Sequence, residues 1–210
     1  MIGEYLPKVT AFVTRPGPGG EELLLFRHPN AGIQIPAGTV EEGETIEQAV
    51  LREVAEETGL ENVRLVGCIG QRDELPPGFT HVIQHTTKVF SRPNQTSFNW
   101  AELRRGIGVR LHRREHGFAQ VTYDEGDRFP DPTYISYQIT GWVPEETLAR
   151  ANRRSLFHLE LVGDAPDGWE HFSDNHLFRL FWASLSDLPE IIAPQREWLD
   201  FARNVSGYQF

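Results

Sequence analysis

The chain has 210 residues, 39% hydrophobic and 24% charged, the composition of an ordinary soluble protein long enough to bury one sizeable core or a core with an elaboration. A formal net charge of −10 repels polyanions, which disfavours a nucleic-acid polymer or an anionic membrane as partner and leaves a small phosphorylated substrate acceptable. The single cysteine, Cys68, excludes an internal disulfide and a cysteine-based zinc site and fits a reducing, cytoplasmic setting.

In chain order, residues 9–14 and 23–27 read as strands around a turn built from Pro16, Gly17, Pro18, Gly19 and Gly20. Thr45 and Gln48 then make a capping box, so a helix is expected to start there, and Gly59 supplies the left-handed residue that ends it. Within it, a step of about 100° per residue groups Ile46, Ala49 and Val50, with Val54 at one edge, as an apolar stripe. The same rotation brings Glu53, Glu56 and Glu57 onto that stripe, so three carboxylates are expected to face inward. Such a group stays ionised only beside positive charge, and an all-oxygen set selects Mg2+ or Mn2+ rather than zinc or copper.

Residues 63–69 and 81–90 read as further strands. Turn formers and an Arg-rich patch (Arg104, Arg105, Arg110, Arg113, Arg114) mark residues 91–154 as an inserted or appended segment with a strand over 133–141. Strand character resumes over 155–161 and 177–182, and Trp198, Leu199, Phe201, Ala202 and Val205 recur at helical spacing before Gly207. The expected organisation is therefore a core over 1–90 and 155–210, interrupted by 91–154. No basic region followed by an apolar run suggests a targeting segment, and no stretch approaches a membrane span.

Residues 38–60 fill every defined position of the pattern G-x5-E-x7-R-E-U-x-E-E-x-G-U, where U is a bulky aliphatic residue: Gly38, Glu44, Arg52, Glu53, Val54, Glu56, Glu57, Gly59 and Leu60. This is the Nudix box, and the chain resembles the Nudix hydrolases. The resemblance implies an α+β fold, an α/β/α sandwich with a mixed sheet, plus an extra mainly β segment. It implies Mg2+-dependent hydrolysis of a pyrophosphate in a nucleoside diphosphate linked to another moiety, with Mn2+ as a substitute ion. Glu56 and Glu57 are then the principal metal ligands, Glu53 a further ligand or the general base, and the carbonyl of Gly38 completes the coordination. Arg52 and Glu44 orient the ligands. Some family members place the base on a later loop, which keeps Glu125, Asp127 and Asp174 as alternatives to Glu53. Pro76, sixteen residues beyond the box, resembles a mark of ADP-ribose hydrolases and makes ADP-ribose a first guess. Homodimerisation is common in the family. The alternative reading is a nucleotide-sensing module that binds without hydrolysing.

Other signals compete. His112 to His116 spell H-x-x-E-H, an inverted zinc-protease pattern, but Gly108 and Gly117 leave too little helix to hold two ligands rigidly. His81 and His85 would share a face of one strand, with an ordinary structural role. The Arg-rich patch reads as a solvated surface, whereas Arg27, one strand end from the box, is the candidate for substrate contact. Trp169, Phe172, Phe178, Phe181 and Trp182 read mainly as core and sheet cover, with a base-stacking platform as the sharper alternative.

Overall fold

The computed structural model describes residues 1–128 and 132–206, the side chains of the last three excepted. The strands are β1 (Gly3–Gly17), β2 (Gly20–His28), β3 (Gly32–Gln34), β4 (Ala37–Thr39), β5 (Val63–Glu74), β6 (His81–Ile83), β7 (Thr87–Phe90), β8 (Asn99–Leu103), β9 (Gly108–Glu115), β10 (Phe118–Gly126), β11 (Ile135–Pro144), β12 (Leu148–Leu161), β13 (Gly168–Ser173) and β14 (His176–Ser184). Helix α1 (Ile46–Thr58) lies between β4 and β5, and α2 (Gln195–Ser206) follows β14. The fold is α+β. No helix among the described residues is long and apolar enough to cross a membrane.

Two compact units divide the chain: Lys8–Arg72 with Arg154–Phe210, and Met1–Pro7 with Asp73–Arg153. The expected division at 90/91 thus moves to 72/73, while the second falls at 153/154. β6 and β7 belong with the later strands because their ladder partners are there: β6 pairs β9 and β12, and β7 pairs β8 and β11.

In the first unit β13, β14, β2 and β1 lie side by side, β3 pairs β2, and β4 pairs β1. A two-residue turn, Pro18 and Gly19, joins β1 to β2, with Gly17 opposite Gly20 and Thr14 opposite Leu23. Strand alternation then builds a helix-backed layer on each face of this sheet. Val9, Ala11, Val13, Leu24 and Phe26 point to one face and bury Ala49, Val50 and Val54 of α1. Phe12, Leu23 and Leu25 point to the other and bury Trp198, Leu199 and Ala202 of α2. Each buried valine or leucine contributes about 1.5–3 kcal/mol, so the apolar stripe of α1 holds the helix to the sheet more firmly than its caps do. The α/β/α layering expected from the resemblance is present here. For the last helix, the Val205 side chain and the Gly207 stop lie outside the described residues.

One buried charge belongs to this core. Arg154 donates from Nη1 to the Val9 carbonyl at 3.0 Å and to Thr10 Oγ1 at 3.1 Å, and its guanidinium stacks 3.8 Å from the Trp198 ring centroid. Side-chain hydrogen bonds and an aromatic face make the buried cation tolerable.

The second unit orders its strands β6, β9, β10, β11, β7, β8 around a core of Ile83, Val89, Leu103, Val109, Ala119, Val121, Val143 and Leu148. The strand expected over 81–90 is broken at residues 84–86. There the amide of Gln84 bonds the Thr147 carbonyl at 2.8 Å, and Arg105 Nε donates to the Gln84 carbonyl at 2.9 Å. The ladder is interrupted and His85 falls outside it, so His81 and His85 do not share a strand face. The strand expected over 133–141 starts two residues later and runs on to Pro144.

Candidate active site

α1 starts and stops where its local chemistry dictates. Thr45 Oγ1 accepts from the Gln48 amide at 3.2 Å, Gln48 Oε1 accepts from the Thr45 amide at 2.9 Å, and Gly59 closes the helix at φ 74°. These ends fix the rotation of everything between them.

Beyond the buried stripe, Glu53 turns inward with its side chain 12% exposed. It faces Gly38 on β4 so closely that any Cβ there would overlap its carboxylate. Glu57 Oε2 accepts the Ala37 amide at 2.9 Å, which ties the helix to the neighbouring residue of the same strand. Gly38 is therefore glycine for a steric reason: the Glu53 carboxylate occupies the space a side chain would need.

Arg52 organises the remaining carboxylates. Its Nε donates to Glu44 Oε1 at 2.9 Å, Nη2 to the Thr39 carbonyl at 3.1 Å, and Nη1 lies 3.0 Å from Glu53 Oε1 and 2.7 Å from Glu56 Oε2. Glu56, one turn beyond Arg52, is drawn outward by that ion pair and stays 55% exposed, against the expectation of three inward carboxylates. Among the described residues no three or more His, Cys, Asp or Glu side chains are gathered closely enough to hold a metal ion as they stand. What the structure does gather is a pair of inward carboxylates, Glu53 and Glu57, and a guanidinium that spans Glu44, Glu53 and Glu56.

The electrostatics follow from this packing. Burial pushes the Glu53 carboxyl above its ordinary value, opposed by Arg52. The Glu57 carboxyl is pushed up to about 8, first by burial and then by Glu53, Asp174 and Glu56, against the opposing bond from the Ala37 amide. Arg52 lowers Glu44 through its hydrogen bond, and Glu44 in turn raises the pKa of Arg52. Unfavourable charge is thus concentrated on the two inward glutamates, where added positive charge would be most stabilising.

Other candidates are placed as follows. Asp174, in the β13–β14 turn at φ 49°, contributes charge to both Glu53 and Glu57. Glu125 accepts from the Tyr123 hydroxyl, and Asp127 Oδ1 accepts the amides of Thr133 at 2.7 Å and Tyr134 at 3.2 Å, so both serve local structure around β10 and β11. Arg27 is exposed and shares the face of Leu23 and Leu25, away from α1; its neighbour His28 shares the α1 face with Phe26. Composition could flag either residue, but only the register of β2 tells them apart.

The competing motifs resolve into structure. The H-x-x-E-H run lies on strand β9 and its turn, where His112 Nε2 pairs with Thr122 Oγ1 at 2.8 Å and His116 takes φ 51°. In the Arg-rich patch, Arg110 pairs with Asp124, and Arg113 bonds Gln120 at 3.0 Å while covering the Trp142 ring. Trp169 donates to the Thr58 carbonyl at 2.7 Å, and Phe178 stacks on Phe26 at 4.6 Å. His171 Nε2 bonds the Glu56 carbonyl at 3.0 Å, a brace for the end of α1 that no sequence signal marked.

A stretch of 56 residues is 54% identical to the NAD-capped RNA hydrolase NudC of Haemophilus influenzae, in strains PittEE and PittGG among others; it covers 23% of this chain and only 21% of the relative. Among solved structures, the MutT protein from Methanosarcina mazei Go1 aligns at a TM-score of 0.48 and 15% identity, covering 97% of this chain and 96% of that one. The E. coli dihydroneopterin triphosphate pyrophosphohydrolase aligns at 0.40 and 16%, covering 89% and 85%. The family profile of the NUDIX domain matches residues 4–201, nearly the whole chain, and with every defined position of the box filled on α1 and its approach, the chain belongs to the NUDIX domain family.

Proposed function

We propose that this chain is a Mg2+-dependent hydrolase that cleaves the pyrophosphate of a nucleoside diphosphate linked to another moiety, giving a nucleoside monophosphate and a phosphorylated second product. The observation that carries the reading is the pair of inward carboxylates, Glu53 against Gly38 and Glu57 on the amide of Ala37. The donor set fits a hard divalent cation: the oxygens of Glu53, Glu56 and Glu57 with the carbonyl of Gly38, and no thiol or imidazole. Such an ion, Mg2+ or Mn2+, would neutralise the pyrophosphate and make a bound water more acidic.

The chain's own groups supply the rest. Arg52 and Glu44 hold the glutamates in orientation. Glu53 takes the proton of the attacking water as its oxygen bonds phosphorus and the bridging oxygen leaves with the electron pair of the broken bond. Asp174, close enough to bias both inward glutamates, is the alternative base.

ADP-ribose remains the first candidate, on the strength of Pro76. The likeness to NAD-capped RNA hydrolases adds NAD and NAD-capped RNA, since NAD also carries a pyrophosphate between two moieties. A panel of ADP-ribose, NAD, an NAD-capped oligonucleotide, dinucleotides and nucleoside triphosphates with Mg2+ or Mn2+ tests the reading. Turnover of at least one substrate is expected; metal-independent turnover, or none, would overturn it. The second reading, a nucleotide sensor without hydrolysis, is favoured by the outward pairing of Glu56 with Arg52 and predicts nucleotide binding with no product.

A further inference from the structure

On the α1 face of the sheet, where β2 ends and β14 begins, His28 and His176 meet with ring centroids 4.5 Å apart and planes tilted by 42°, and His28 also meets the buried Phe178 at 5.4 Å. Both imidazoles are partly exposed. Asp174, two residues before His176, bears electrostatically on His28 and on Glu53 and Glu57. The pair and the carboxylate end of α1 thus share Asp174 as a neighbour, whose carbonyl His176 bonds at 2.7 Å, and both lie on the α1 face of the sheet.

Hydrogen bonds fix which nitrogen of each neutral ring carries the proton. His28 Nδ1 lies 3.1 Å from the Asn30 amide, which can only donate, so Nδ1 accepts and Nε2 carries the hydrogen. His176 Nδ1 lies 2.7 Å from the Asp174 carbonyl oxygen, which can only accept, so Nδ1 carries the hydrogen and Nε2 offers a lone pair. Burial and the neighbouring His176 lower the His28 pKa against the opposing pull of Asp174, which favours the neutral ring. Among the described residues neither Nε2 has a protein partner.

One donor and one acceptor are thus offered by two neighbouring rings. An ionised phosphoryl oxygen only accepts, so it meets the His28 hydrogen but finds no donor on the neutral form of His176. An apolar group would leave both nitrogens unsatisfied, at a cost of about 1–3 kcal/mol for each if water were excluded. A hydroxyl both donates and accepts, and two adjacent hydroxyls match the pair. We infer that His28 and His176 form a subsite for the ribose hydroxyls of the nucleotide, beside the carboxylates of α1. The identity of the ligand as a nucleotide rests on the hydrolase reading; the donor and acceptor pattern does not.

The test is calorimetric titration of the full chain with Mg2+ and α,β-methylene ADP, whose bridge resists cleavage, against its 2′,3′-dideoxy counterpart. The ribose form is expected to bind about tenfold more tightly, equivalent to about 1.4 kcal/mol. His28→Ala and His176→Ala should each reduce that preference severalfold. His28→Gln and His176→Gln, whose amides can replace Nε2 as donor or acceptor, should keep part of it and serve if the alanine variants lose their circular dichroism. Equal binding of the two ligands, no binding of either, or a preference that survives in the His28→Ala/His176→Ala double variant would overturn the subsite. So would a loss of inorganic pyrophosphate binding in the alanine variants, which would make the pair a phosphate contact. A retained preference in Glu57→Gln supports the subsite, and a preference without turnover of any substrate in the panel would retire the hydrolase reading alone.

Discussion

The acidic turn of α1 and the His112–His116 segment of β9 are both short strings of side chains that bind metals in other settings, and the two fold to opposite effect. On α1 the helical period turns Glu53 and Glu57 inward, where β4 brings a glycine and a backbone amide against them. On β9 the strand period sends His112 to a threonine of the next strand, and a turn takes His116 into the left-handed region. A motif acquires chemistry only when its spacing agrees with the period of the element that carries it. The five letters of the histidine run presuppose a helix that glycines on either side forbid.

Three experiments probe that contrast. Glu57→Gln keeps the shape of the side chain and its bond from the Ala37 amide while removing the charge. It is expected to lower metal-dependent turnover by roughly 100-fold or more with little change in thermal stability, read by steady-state kinetics across a Mg2+ titration. Unaltered kinetics would reduce the acidic turn to the status of the histidine run. Gly38→Ala comes next. The added methyl overlaps the Glu53 carboxylate, the free end of a flexible side chain, so the fold should survive while turnover falls by about tenfold; an unchanged rate would remove Glu53 from the reaction. Smallest is the paired substitution His112→Ala and His116→Ala, expected to leave turnover and metal response unchanged and to cost about 1 kcal/mol in stability for the lost Thr122 bond. A large fall in activity there would reverse the ranking of the two motifs.

The parts legible in the sequence were those whose causes are local. The capping box at Thr45, the stop at Gly59 and the apolar stripe of Ala49, Val50 and Val54 each depend on residues within a few positions of one another. Glu56 departs from its expected inward position because a neighbour one turn away, Arg52, offers a better partner than the interior does. What could not be read depends on distant pairing. Arg154 looks like surface by composition and is buried because carbonyl, hydroxyl and indole from β1 and α2 converge on it. The same holds for the division at 72/73, which follows ladder partners rather than turn composition.

The tight link of Pro18 and Gly19 between β1 and β2 has a chemical consequence. It sets the parity of β2, and parity decides whether an imidazole or a guanidinium lies on the α1 face of the sheet. Were one residue inserted at that link and β2 to slip by one place, His28 would trade sides with Arg27 at unchanged composition, and a neutral hydrogen-bonding wall would become a cationic one.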